Sequence, residues 1–289
     1  MINWRIYNES LVRRGEIILG FDIIDNWNNE LHRMNLGKEG ALYRYPDTFV
    51  LLLGYMRVYF HLPFRQTKGV VTAHAGRKVP SIPDYSTINT RVNKLDIKIN
   101  ERIGNDIIIV LDSTGIKVTN RGEWLPHKRN VRKGYLKIHV AVDIEKKKIV
   151  SLDVTSEEVY DGSRLKELVD NALENNTLER VIADGAYDSN ENFQYLSNKN
   201  IEAAIKVRKN SSYDRTAGCI PRKRIVLNQL KNFERWKTRV KYGSRWIAET
   251  VFSSVKRTFG EYVTAKRVPN MVKEMILKAS LYNLFIIAK

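Results

Sequence analysis

The pattern of apolar and polar positions changes character twice along the chain. Over the first 62 residues it is helical: "YPDTFVLLLGYMRVYFHL" has an apolar helix interior, with Pro46 and Asp47 suited to a helix start and Pro63 to a stop. Residues 63–95 predict a short helix, a turn carrying Pro80 and Pro83, and a second helix opening at Asp84 or Ser86, both good N-caps. From about residue 105 the period shortens. "NDIIIVLDSTGIKV" holds a continuous branched run of the kind that fills a buried central strand, and Asp112 ends the run. "YLKIHVAVD" (135–143) and "KIVSLDVTS" (148–156) alternate, predicting two strands joined by a hairpin at "IEKKK".

Beyond these the pattern predicts a helix over 161–176, with Leu165, Leu168, Val169 and Leu173 on one side. A short strand within 179–188, ending in Asp184-Gly185, a helix over "NENFQYLSNKN" and a strand over 201–207 follow. A basic, irregular stretch then leads into one helix over "YGSRWIAETVFSSVK", residues 242–256. Three adjacent strands followed by strands alternating with helices predict an α/β fold, a ribonuclease-H-like mixed sheet flanked by helices. The expected division is an all-helical N-terminal region, residues 1–100, and a catalytic domain, residues 101–289. The helix pair at 63–95 reads either as a plain helical hairpin packed on its neighbour or as a candidate helix-turn-helix, in which Tyr85, Ser86, Thr87, Asn89, Thr90 and Arg91 would face a DNA groove.

Charge alters the picture. The chain carries 49 Lys and Arg against 32 Asp and Glu, a net +17, which points to a polyanionic partner such as nucleic acid. The excess is concentrated. Residues 117–137 hold seven basic residues against Glu123, and residues 206–245 hold thirteen against Asp214 and Glu234. These windows, +6 and +11, account for the whole net charge and read as a backbone-binding track. The single cysteine, Cys219, excludes an intramolecular disulfide framework and a multi-cysteine zinc site, and fits a reducing cytoplasm. No secretory pattern opens the chain, and "FVLLLGYM" is too short to span a bilayer, so a soluble protein with no membrane partner is expected.

The candidate chemistry lies in the carboxylates. Asp112 and Asp184 are each expected at the end of an apolar strand, where an ionised carboxylate is costly to desolvate unless a cation or hydrogen bonds compensate. A divalent metal between them would relieve both that cost and their repulsion. Asp143 precedes a hairpin turn and reads as structural; Asp153 lies near the third strand; Asp188, four residues after Asp184, is the reserve ligand or a helix cap. On a helix starting at Tyr242, Arg245 falls near roughly 300°, Glu249 near 340° and Lys256 near 320°, a polar stripe roughly 60° wide. Ala248, Val251, Phe252, Val255 and Phe259 fill the adjoining sector, roughly 180° to 280°, suited to docking on a sheet. Glu249 is thereby the candidate third carboxylate. His127, His139 and Cys219 read as structural; Trp124 and Trp236, inside the basic windows, are open to either packing or base stacking.

These residues resemble a known family. Tyr242, two residues, Arg245, three residues, Glu249, six residues and Lys256 match the Y-R-E-K signature of bacterial and archaeal insertion-sequence transposases of the DDE class. "VLDSTGIKV" and "VIADGAYDS" resemble that family's first- and second-aspartate segments, "YLKIHVAVD" the strand between them, and "PDYSTINTR" its upstream DNA-binding helix. The similarity covers roughly residues 60–289. The resemblance implies that Asp112, Asp184 and Glu249 are catalytic and hold two Mg or Mn ions. It implies that Tyr242, Arg245 and Lys256 contact DNA, with Arg91 added from the upstream helix. It further implies cleavage of double-stranded transposon ends and strand transfer by a homodimer on DNA. A non-catalytic DNA-binding descendant and a nuclease of the same fold are the alternatives.

Overall fold

The computed structural model describes residues 4–20, 25–75, 78–99, 102–118, 134–213 and 218–287. Its contacts divide the chain into two compact units, one of residues 1–97 with 267–289 and one of residues 98–266.

The first unit is helical: α1 (Trp4–Leu19), α2 (Trp27–Asn35), α3 (Asp47–Tyr59), α4 (Phe64–Ala75), α5 (Tyr85–Lys94) and the C-terminal helix Val268–Ile287. α3 is its centre. Phe49, Val50, Leu52, Leu53 and Met56 are all buried, each worth about 1.5–3 kcal/mol when fully withdrawn from water. A Cβ at Gly54 would lie 3.0 Å from Leu277 of the C-terminal helix, so the glycine allows the two helices to approach closely. Across the same contact Arg57 Nη2 stands 3.3 Å from the buried Glu274. This packing draws residues 267–289 into the helical unit, whereas the sequence-based division grouped them with 101–266. α5 starts where its cap predicts. Asp84 accepts the Ser86 amide, and a hydrogen bond from Lys68 is the main reason its carboxyl is held down at about 2.

The second unit is built on β1 (Ile107–Val118), β2 (Tyr135–Asp143), β3 (Ile149–Ser156), β4 (Leu178–Ala183), β5 (Glu202–Ile205) and the short β6 (Tyr262–Val263). The order is β3-β2-β1-β4-β5, with β6 added beside the far end of β1. β1, β2 and β3 run antiparallel; β4 and β5 run parallel to β1. This is the expected ribonuclease-H-like mixed sheet. β1 is longer than the pattern indicates: it continues through Asp112, because residues 113–117 stay paired with β2. The apolar run stops at Asp112, but the strand does not.

The helices of this unit are α6 (Leu165–Leu173), α7 (Asn190–Asn198), α8 (Ile220–Lys231), α9 (Phe233–Arg239) and α10 (Trp246–Phe259). Leu165, Leu168 and Val169 of α6 and Phe193 and Leu196 of α7 join Ile109, Leu111, Val181 and Ala183 in one core. Strand alternation sends Ile108, Val110 and Ile182 to the opposite face, which α10 covers with Ile247, Ala248, Val251 and Val255. The basic stretch read as irregular contains α8 and α9, whose charged surfaces hide their weak apolar stripes. Gln229 of α8 docks that helix on β5, donating to Ile205 O at 2.8 Å and accepting from Val207 N at 3.1 Å.

Candidate active site

β1 and β4 fix the first two carboxylates by register. Val110 pairs with Ile182, and Asp112 and Asp184 each lie two residues further on. By alternation both side chains project toward the face covered by α10. Asp112 Oδ1 accepts the Ser113 amide at 2.9 Å. Asp184 stands just past the end of β4 and caps a 3₁₀ turn, Gly185–Tyr187, by accepting the Ala186 amide at 2.8 Å. Asp112 is partly buried, and its carboxyl is pushed up, first by desolvation and further by the negative charges of Asp184 and Glu249; the Ser113 amide and Arg245 oppose the shift. The charges of Asp184 and Glu249 thus both reach Asp112.

Glu249 comes from the first turn of α10. The stretch 242–256 is not one continuous α-helix. Lys241 adopts a left-handed backbone with φ 55°, Tyr242–Arg245 forms a tighter 3₁₀ turn, and the α-helix begins at Trp246. Arg245 Nη2 donates to Glu249 Oε1 at 2.7 Å while its Nη1 stands 3.7 Å from Asp112 Oδ2. The guanidinium thus lies between two of the acids. Among the described residues no three acidic, histidine or cysteine side chains stand together at metal-ligand spacing.

Lys256, further along α10, donates to Thr114 Oγ1 at 2.9 Å. Thr114 is on the same face of β1 as Asp112. These residues, with Glu249, Ser253 and Arg257, line an open groove of about 600 Å³. Tyr242 packs its ring 5.2 Å from that of Trp236. Burial, reinforced by Asp184 and Asp112 and opposed by Arg245, raises its hydroxyl to about 12, so it stays protonated and able to donate. Arg91 is placed otherwise: within the helical unit it donates to Asp47 at 2.6 Å and to Tyr45 O at 3.2 Å, and lies over the Tyr43 ring. Tyr85, Ser86, Asn89 and Thr90 of α5 remain exposed.

Several side chains take structural roles. Trp236 is buried, which makes it a packing residue; Trp124 and His127 lie outside the described residues. His139 is fully buried in β2, and desolvation lowers it to about 4, so it is neutral. Asp143 closes the β2–β3 hairpin by accepting the Lys146 amide at 2.6 Å. Sequence reasoning did not single out Tyr187. Its ring is buried at the end of the turn that Asp184 caps, its hydroxyl has no hydrogen bond among the described residues, and burial with Asp161, Asp112 and Asp184 holds that proton firmly. The signal was the aromatic residue three positions after the second aspartate.

Three solved structures share partial likeness with the chain. The piggyBac transposase synaptic complex with hairpin DNA matches at 10% identity, over 95% of this chain and 74% of that one, with a TM-score of 0.42. The simian T-cell lymphotropic virus intasome in complex with PP2A regulatory subunit B56 gamma matches at 13% identity and a TM-score of 0.32, over 80% of this chain; the match spans 65% of that chain's length. The HTLV-2 integrase catalytic core domain in complex with magnesium matches at 15% identity, over 53% of this chain and 87% of that one, with a TM-score of 0.26. Family models speak more directly. One described as a transposase DDE domain matches residues 104–284, and a second of the same description matches residues 12–121. With more than half of its length inside the first match, the chain belongs to the transposase DDE-domain family.

Proposed function

We propose that this protein is a DNA transposase of the insertion-sequence type with the Y-R-E-K signature. In this reading it binds the double-stranded ends of its element, cuts a strand there and joins the freed 3′ end to target DNA. The observation that supports the reading is that Arg245 lies between Asp112 and Glu249, with Asp184 just past the end of the strand beside that of Asp112. Assembly as a homodimer on paired ends, in a prokaryotic cytoplasm, belongs to the same proposal. Among the described residues no helix is long and apolar enough to cross a membrane.

The chemistry of the donors, three carboxylates with only oxygen ligands, suits a hard divalent cation, Mg or Mn, with Asp112 in β1 and Asp184 just past the end of β4. Asp112, Asp184 and Glu249 would hold it. When bound, the metal supplies Lewis-acid polarisation of the phosphate and a lower pKa for an attacking water. The chain's own residues do the rest by positioning and charge. Arg245 moves from its carboxylate partners to a phosphate, for which its planar fork is suited. Lys256 contributes a compact positive charge beside Thr114. Tyr242 keeps its proton and donates it as a hydrogen bond to a phosphate or sugar oxygen.

The test is incubation of the full chain with a labelled duplex carrying the element's terminal sequence, a second target duplex, and Mg or Mn. Nicking at the element boundary followed by covalent joining to the target supports the proposal. Nicking without joining makes the protein a nuclease. Binding without nicking makes it a non-catalytic DNA-binding protein.

A further inference from the structure

Asp188 lies four residues after Asp184 and is the most fully committed carboxylate near the site. Its side chain is wholly buried, and its partners come from a different part of the chain. Arg222, in the first turn of α8, forms a two-pronged pair with it, Nε to Oδ1 at 2.7 Å and Nη2 to Oδ2 at 3.0 Å. The Arg208 amide donates to Oδ2 at 2.9 Å. Arg222 also donates to Ser211 Oγ at 2.9 Å. One carboxylate thus ties together both flanks of the basic segment, 208–211 on one side and 222 on the other.

The same segment is tied to the aspartate turn by a second route. The Arg208 guanidinium donates to the Tyr160 hydroxyl at 3.0 Å, and that hydroxyl donates to Ala186 O, in the turn that Asp184 caps. Gly162 leaves room for the arrangement: a Cβ there would lie 2.7 Å from Ala186 O. Asn192 closes it, donating to both Gly162 O and Tyr187 O. Cations of the segment that are not used in this network, Lys206, Lys209 and Arg224, face solvent.

We propose that Asp188 is a positioning residue. It fixes two basic stretches, residues 206–211 and 219–224, to the end of β4, so that a DNA backbone gripped by Lys206, Lys209 and Arg224 is held in register with Asp184. This rests on the transposase reading for the identity of the bound polymer. Breaking a buried two-pronged pair leaves the partner charge unsatisfied, so the segment should loosen locally before the domain unfolds.

The experiment compares wild type with Asp188→Asn in the full chain. Four readouts are taken: thermal unfolding, tryptic cleavage after Arg208 and Lys209, the salt dependence of end-DNA binding, and single-turnover cleavage. Tryptic cleavage should become about tenfold faster at those two positions, because local opening governs access. The log Kd against log salt slope should become shallower by about 2, the loss of roughly two phosphate contacts. KM for DNA should rise about tenfold, with the rate at saturating DNA within about threefold of wild type. A merely structural role would lower the Tm without moving the slope or favouring those tryptic sites, and would overturn the proposal. So would loss of the saturated rate with binding intact, which would make Asp188 a participant in the chemistry. If Asp188→Asn does not fold, Arg222→Lys keeps the charge but loses the fork. It should shift the same readouts in the same direction, and no shift overturns the proposal. If wild type binds ends but never nicks, the transposase reading fails, while the tryptic and salt readouts still decide the role of Asp188.

Discussion

Arg245 donates to Glu249 at 2.7 Å across one turn of chain, and its other terminal nitrogen faces Asp112 at 3.7 Å. A guanidinium held between two carboxylates supplies positive charge where the proposed metal would supply it. Cation binding and the freeing of Arg245 are then linked. Arg245→Ala should bind Mn²⁺ about tenfold more tightly than wild type in the absence of DNA, a gain of about 1.4 kcal/mol. The same variant should cleave end DNA about a hundredfold more slowly, the scale of losing one charge-stabilising donor. Titration with Mn²⁺ followed by electron paramagnetic resonance reads the first effect. Unchanged Mn²⁺ affinity would show that the arginine does not compete.

Asp112 makes a stability prediction of definite sign. Its folded carboxyl is raised above the ordinary 3.8, chiefly by desolvation. A group raised on folding adds stability below its unfolded value, and that stability is lost as pH rises through the folded value. At neutral pH the ionised Asp112 therefore destabilises the apo protein. Asp112→Asn should unfold at a higher temperature than wild type near pH 7.5, and the advantage should shrink toward pH 4. A lower Tm at pH 7.5 would contradict the electrostatic reading of the site.

His139 works in the opposite direction. Buried in β2 and lowered to about 4, it favours folding above the ordinary 6.5 and loses that contribution as pH falls through the folded value. The effect at stake is on the order of 3 kcal/mol. Wild type should lose denaturant resistance between pH 6.5 and 4. His139→Gln, which retains a side-chain amide near Thr155 Oγ1, should lose less over that interval. Parallel pH profiles for the two would remove His139 from the account.

Lys256 offers a more limited test. If it contacts one phosphate, Lys256→Ala should weaken binding similarly for all end sequences and reduce the salt slope by about 1. Thr114→Val removes its present hydrogen-bond partner and should leave the slope unchanged. Fluorescence anisotropy at several salt concentrations distinguishes them.

How far the sequence can be read follows from which forces act locally. The sheet was legible because the Ile107–Leu111 run and the alternations in β2 and β3 are strong local signals, and their order alone restricts the topology. Asp84 was legible as a cap because capping is a local hydrogen bond. Asp112 was found as an acid at the end of an apolar run, but the continuation of β1 beyond it depends on pairing with β2, a partner distant in sequence. α8 and α9 were missed because their stability comes from Gln229, Trp236 and the Asp188–Arg222 pair, not from a periodic apolar face. The 3₁₀ turn at Tyr242 was missed for a related reason: the polar stripe was projected on an uninterrupted helix, whereas Lys241 redirects the chain in front of it. Arg91 has the composition of a recognition-helix contact, yet tertiary packing gives it Asp47 and Tyr43.

The central claim is that Asp112, Asp184 and Glu249 act together on a phosphodiester. Single-turnover cleavage of an end duplex tests it most directly, with Asp112→Asn, Asp184→Asn and Glu249→Gln each compared with wild type at saturating DNA and Mg²⁺. Each variant should lose at least about a thousandfold in rate while binding the duplex within about threefold of wild type. Cleavage that persists near the wild-type rate in any one of the three would remove that residue from the site, and persistence in all three would overturn the assignment.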